Sequence, residues 1–110
     1  MPMSLRRTAA ALGLALASLS FASSESTARE QAAVSMEFDI DRPGSDIAGA
    51  TFDVLDANPQ VCRGRCANDA RCRAFTFVRP GIQGRYARCY LKNAVPPRRA
   101  DRCCVSGVKQ

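Results

Sequence analysis

The chain has no histidine, no tryptophan, and only two tyrosines and five phenylalanines among its 110 residues. Without histidine the commonest general base is missing, and mixed Cys/His zinc sites lose half their ligand set. No C-x2-C pair stands in for it, and zinc is not the expected fate of the cysteines. The lone serine motif, Ser106 in VSGV, is not a nucleophile elbow. Asp41 and Asp46 flank a Pro-Gly turn, but nothing completes a calcium loop. Asp39 and Asp41 stand two apart on an expected strand and share a face; they read as a solvated strand edge rather than a catalytic carboxylate pair. No long hydrophobic run occurs. The uncharged stretch at residues 8–21 (TAAALGLALASLSF) falls short of the roughly 20 residues a membrane span needs. No cysteine follows it, which argues against a lipid-modified terminus. There is no internal repeat and no heptad run. The expectation is therefore no enzyme, no cofactor and no metal.

What is present is concentrated at the two ends. Residues 1–7 carry Arg6 and Arg7, the apolar stretch follows, and residues 22–28 (ASSESTA) are small and polar. This is the layout of an export signal, with cleavage after Ala22 or Ala28. Residues 1–28 are accordingly expected to be a signal peptide and short leader. Residues 29–110 are expected to form a single domain with a core at about 36–109. All six cysteines lie in that domain: Cys62, Cys66, Cys72, Cys89, Cys103 and Cys104. An even count in a small exported chain reads as a disulfide framework. A domain of about 85 residues buries a modest core and needs such covalent help. The expected location is outside the cytoplasm, periplasmic or secreted, with no transmembrane span once the signal is removed.

Charge divides the chain in two. Residues 25–56 hold eight acids and two bases, whereas residues 57–110 hold twelve bases and two acids. Ten of the twelve are arginines, whose planar fork suits carboxylate, sulfate or phosphate. Arg63, Arg65, Arg71, Arg73, Arg79, Arg85 and Arg88 flank the cysteines and are the candidate ligand-binding residues. One reading makes them a single basic patch for an acidic glycan or a protein partner; the other folds the acidic first half against the basic second half. Export argues against a specific nucleic-acid partner.

Local patterns give the elements. Residues 34–40 (VSMEFDI) alternate strictly and predict a half-buried strand with Val34, Met36, Phe38 and Ile40 on one face. Pro43-Gly44 marks a turn, and residues 50–55 (ATFDVL) a second strand. Asn58-Pro59 is a helix start, cap then first helical position, with the helix running to about Asn68. Cys62 and Cys66, four apart, share one helical face. Residues 71–78 and 86–92 predict a hairpin around the loop 79–85. In its first strand Cys72, Ala74, Thr76 and Val78 share a face, with Arg71 and Arg73 on the other. Residues 105–109 predict a closing edge strand.

The segments FDIDRPGSDI (38–47), the helical C-x3-C, CRAFTFV (72–78), CYLK (89–92) and VSGVK (105–109) together resemble the PAN/Apple domain family, most closely its short bacterial form. The resemblance implies an α+β fold in which a small antiparallel sheet cradles one helix. It also implies the pairs Cys62–Cys89 and Cys66–Cys72. Loop-closure arithmetic gives the first about 3–4 kcal/mol and the second about 2. The family implies non-catalytic binding of proteins or carbohydrates, and some relatives bind heparin-like glycans. Two departures favour the simpler PAN form over the Apple subtype: no cysteine lies in residues 23–61, and Tyr90 stands where bacterial members often have tryptophan. The alternative role is a structural or inhibitory subunit docked on a larger cell-envelope protein.

Cys103-Cys104 falls outside this framework. Adjacent Cα atoms sit about 3.8 Å apart, below the usual disulfide range of roughly 4.4–6.8 Å. An adjacent-residue bridge, a disulfide-linked dimer through Cys103 or Cys104, and other pairings or free thiols all stand as readings, with a thiol-redox protein as the least supported function.

Overall fold

The computed structural model describes Arg29, Gln31 and residues 33–110; the signal expected at residues 1–28 lies outside the described residues. Five strands form one antiparallel sheet: β1 (Glu37–Asp41), β2 (Asp46–Val54), β3 (Ala74–Val78), β4 (Ala87–Lys92) and β5 (Arg99–Val108). Their order is β1-β5-β3-β4-β2. Helix α1 (Pro59–Ala67) joins β2 to β3. This is the α+β class, with α1 held against a small antiparallel sheet. Among the described residues no helix is long and apolar enough to cross a membrane.

The helix forms where its capping chemistry dictates. Asn58 accepts a bond from the Gln60 amide at 2.9 Å, Pro59 occupies the first turn, and Asn68 donates from Nδ2 to the Gly64 carbonyl at 3.0 Å. Cys62 and Cys66 are fully buried on its inner face. Cys62 is bonded to Cys89 of β4 with Cα atoms 5.5 Å apart, and Cys66 to Cys72 at 5.2 Å. These are the pairs the resemblance implies. Cys72 does not share a sheet face with Thr76 and Val78, as a strand over 71–78 requires. The strand begins only at Ala74, and the turn before it sends Cys72 to the helix.

The Cys62–Cys89 bond identifies the covered face of the sheet. Cys89 stands opposite Phe77 on one side and Phe52 on the other, and Phe77 opposite Val105. With Phe75 and Leu91 these side chains pack under α1. Gly107 is required there, because a Cβ would collide with the Ser35 carbonyl and the Phe75 ring. The opposite face carries Thr76, Tyr90, Lys92, Cys104 and Ser106. No helix covers it among the described residues. The connections cross it instead: Lys92 reaches the Gly44 carbonyl, and Arg42 the Pro96 carbonyl at 2.7 Å.

Two strand expectations need correction. The closing strand is longer than residues 105–109 and is interior, between β1 and β3, so the edges are β1 and β2. The strict alternation of residues 34–40 breaks at Asp39, whose φ is 60°, and Phe38 is 61% exposed. β1 is an edge strand, so no layer outside it compels Phe38 inward. Asp39 and Asp41, read as a solvated strand edge, each meet an arginine. Asp39 is bound by Arg79 at 2.9 Å and Asp41 by Arg99 at 3.0 Å.

Candidate binding clefts

Two register shifts shape the surface. Between Phe38 and Ile40 of β1, β5 runs from Val105 to Ala100, so its residues 101–104 bulge. Between Tyr90 and Lys92 of β4, β2 runs from Thr51 to Asp46, so residues 47–50 bulge. A cleft lies beside each, and bulges of this kind commonly re-aim side chains beside functional sites.

The first cleft, about 310 Å³, opens on the uncovered face. Its floor is Thr76 and Val78 of β3, Tyr90 and Lys92 of β4, and Cys103 and Cys104 of β5. The β1–β2 turn forms one wall, and Ile82 and Gln83 of the hairpin loop the other. The Lys92 side chain is only 3% exposed; its Nζ donates to Asp46 Oδ1 at 2.6 Å and to the Gly44 carbonyl at 3.0 Å. Ser106 Oγ donates to the Ile40 carbonyl at 2.8 Å, so its partner Thr76 Oγ1, at 2.9 Å, must be the donor between the two hydroxyls. Tyr90 donates its phenol proton to Gln83 Oε1. Cys103 and Cys104 are bonded to one another, which leaves neither sulfur for a covalent dimer or for metal ligation as a thiolate. Asp41 places a carboxylate oxygen within 4.8 Å of those sulfurs.

The second cleft, about 350 Å³, lies between the bulge of β2 and the C-terminal end of α1. Gly49 and Ala50 line one side, and Arg65, Asn68, Asp69 and Arg71 the other. Arg65 lies over the Phe52 ring, 4.1 Å from its centroid, a cation–π contact that fixes its guanidinium. Arg71 grips Asp69 at 2.9 Å; this side-chain hydrogen bond, joined by one from the Arg71 amide, holds the Asp69 carboxyl down to about 2.

The seven candidate arginines therefore do not meet at one point. Arg65 and Arg71 share the second cleft. Arg63 stays on the helix, donating to the Gln31 carbonyl at 2.8 Å and to Gln60. Arg73 is exposed between Cys72 and β3 and lines neither cleft. Arg79 is spent on Asp39 and the Arg102 carbonyl. Arg85 stacks on Tyr86 at 5.3 Å, and Arg88 lies 3.6 Å from Asp53. Four bases of the second half, Arg79, Arg88, Lys92 and Arg99, pair with acids of the first, so much of the charge asymmetry is internal. Sequence reasoning missed Lys92, Asp46, Tyr90 and Gln83. The alternation of Tyr90 and Lys92 on a strand was the available signal, but the loop and turn that meet over them lie far apart in the chain.

Residues 40–92 match the family model described as PAN domain, from the end of β1 through β4, with α1 and the Cys62–Cys89 and Cys66–Cys72 bonds. Over those residues the chain is similar to PAN domains. PAN domains are in general protein- or carbohydrate-binding modules and typically non-catalytic. No curated protein and no solved structure gives a significant match. Strand β5, with its bulge and the Cys103–Cys104 bond, lies beyond the matched segment.

Proposed function

We propose that the protein is an exported, non-catalytic binding module whose second cleft captures an acid-bearing ligand, an acidic glycan or an acidic segment of a protein. The leader-like residues 1–28 and the three disulfides fit an oxidising compartment outside the cytoplasm. Residues 29–110 then act as one domain. The observation that carries the ligand reading is the convergence of Arg65 and Arg71 on one cleft. Arg65 is pre-oriented by Phe52, and Arg71 is fixed at the cleft by a two-point pair with Asp69 that uses its Nε and one terminal nitrogen. A pre-aligned guanidinium loses less freedom on meeting a carboxylate or sulfate. Asn68 supplies a neutral polar group between them.

The test is binding of the oxidised, exported protein to arrayed sulfated and uronic-acid sugars at low and physiological salt. Binding that weakens steeply with salt, and that falls about tenfold in Arg65→Ala and Arg71→Ala, supports the reading. Binding unchanged in both variants, or no binding to any acidic sugar or acidic peptide, overturns it. Salt-insensitive capture of a protein instead points to the docked-subunit role.

A further inference from the structure

We propose that the Cys103–Cys104 bond is a redox lock on a metal site. Once a dithiol reductant opens it, the two sulfurs and the Asp41 carboxylate take one thiophilic divalent cation of the zinc class. The site is separate from the second cleft and does not depend on Arg65 or Arg71.

The bond does little as a staple. A disulfide stabilises chiefly by removing loops from the unfolded chain, and joining two neighbours closes no loop. Cys62–Cys89 and Cys66–Cys72 already tie α1 down, and all four of those cysteines are fully buried. Cys103 differs: it is half-buried and lines the first cleft. Neighbouring Cα atoms also sit closer together than an unstrained bridge prefers, and strained or exposed bridges are the reducible ones. Of the three bonds, this is the one a mild dithiol opens first.

The opening step balances. One thiolate of the dithiol attacks the Cys103 sulfur. The Cys104 sulfur leaves with the bonding electron pair and takes a proton. The second thiol of the reductant then attacks the mixed disulfide and releases Cys103 as a thiol. The protein gains two electrons, and the reductant departs as a cyclic disulfide. The incoming ion displaces the two thiol protons.

The bulge of β5 brings the ligands together. Neighbouring residues on a regular strand project to opposite faces, yet Cys103 and Cys104 line one cleft. Asp41 comes from the far side of the same bulge, where it stands opposite Arg99 in the β1–β5 register. A carboxylate oxygen of Asp41 and the two sulfurs all lie within 4.8 Å of one another. Two thiolates on one tetrahedral zinc stand about 3.8 Å apart, so the freed sulfurs need only part from each other.

Sulfur decides the class of ion. Calcium and magnesium want oxygen ligands, whereas thiolates select zinc-like ions. Two thiolates and a carboxylate carry three negative charges against the two positive charges of the ion. Arg99, 3.0 Å from Asp41 Oδ2, offsets the remainder and steadies the carboxylate, as hydrogen-bond partners of ligating carboxylates do. The burial of Cys104 suits a metal ligand, and the cleft of about 310 Å³ gives the ion a path in. Three protein ligands leave the fourth position of a tetrahedral ion to water.

The experiment treats the oxidised, exported protein with a small dithiol, which is removed under argon before Zn²⁺ or Cd²⁺ is added. Alkylation and mass spectrometry should find new thiols at Cys103 and Cys104 alone. The treated protein should take one ion per chain, with the ultraviolet absorption of Cd²⁺–thiolate bonds and release of about two protons. Untreated protein, with no thiolate to offer, should bind at least about a hundredfold more weakly. Cys103→Ser/Cys104→Ser should lose the absorption while the other two disulfides keep the fold. Asp41→Asn leaves both thiols intact and should weaken binding by about tenfold. Treated protein that takes no ion, full affinity in Asp41→Asn or in the double serine variant, or a dithiol that opens the buried bonds as readily as this one would each overturn the proposal.

Discussion

The bulges of β5 and β2 each set four residues against one of a neighbouring strand, yet they are held in opposite ways. In β5 the extra residues end in a covalent bond between Cys103 and Cys104. In β2 they turn on Gly49, whose φ of +79° costs little without a side chain. The braced bulge borders a cleft whose charges are paired off internally. The glycine bulge borders a cleft in which Arg65 is aligned over Phe52 and Arg71 by Asp69. One small sheet thus carries a disulfide-bordered cleft with paired charges and a glycine-bordered one with a net basic lining. The lesson is that the total charge of such a chain says little about any one surface; what matters is which charges the register leaves unspent.

The comparison has a common foundation, and removing that foundation gives the largest effect. Cys62→Ala/Cys89→Ala opens a staple spanning 27 residues and should cost about 3–4 kcal/mol, eliminating both clefts together. Denaturant unfolding checks this, and a midpoint near wild type would mean the core alone holds α1 on the sheet. A narrower break comes from Ser106→Ala. It strips the Ile40 carbonyl and the Thr76 hydroxyl of a partner at a fully buried position and should cost about 1–3 kcal/mol. Thr76→Val should cost less, since the Ser106 proton keeps its acceptor. The same unfolding series orders the two. Gly49→Ala strains only the β2 bulge, by about 1–2 kcal/mol, and should perturb the Arg65 and Arg71 amide signals while leaving those of Tyr90 and Lys92 in place.

The smallest effect is a pH dependence on the braced side. Arg42 forms hydrogen bonds from Nε and a terminal nitrogen to the two oxygens of Glu37, each at 2.8 Å, which holds the Glu37 carboxyl below its ordinary value of 4.5. A depressed carboxyl contributes stability when ionised, so this contribution is present above 4.5 and is lost as the pH falls below it. Glu37→Gln should therefore cost about 1 kcal/mol at neutral pH and progressively less as the solution is acidified. Parallel unfolding curves for wild type and variant across that range read the difference directly. A constant gap would assign the loss to packing rather than charge.

Much of the scaffold was legible in the sequence, because local chemistry specifies it. Asn58-Pro59 marks the helix start, Cys62 and Cys66 its inner face, and AFTFV a buried strand. The N-terminal half of β5 was not legible. Its residues ADRCC neither alternate nor carry β-branched side chains, and they extend only because β1 and β3 lie on either side. The clefts were less legible still. Each exists because a register slips, and register is settled by pairing between distant segments. Arg65 and Arg71 were among the seven candidate arginines, but nothing local distinguished them from Arg63 or Arg79. Lys92 looked like one more base until Asp46 and Gly44 came to meet it from a turn 46 and 48 residues away.

The place of β5 has a consequence for the order in which the molecule is completed. The first strand in the chain has the last as its only neighbour in the sheet. As a ribosome or an export channel releases the polypeptide from its amino end, β1 must wait, unpaired, until residues 99–108 have emerged. The Cys62–Cys89 and Cys66–Cys72 bonds lie within the middle of the chain and close without it. Assembly therefore runs from the centre outward, with the final strand entering between two others and the earliest strand docking last. Such non-local closure makes folding slow, and a domain that cannot finish until its tail is free stays unfinished for as long as it is being threaded.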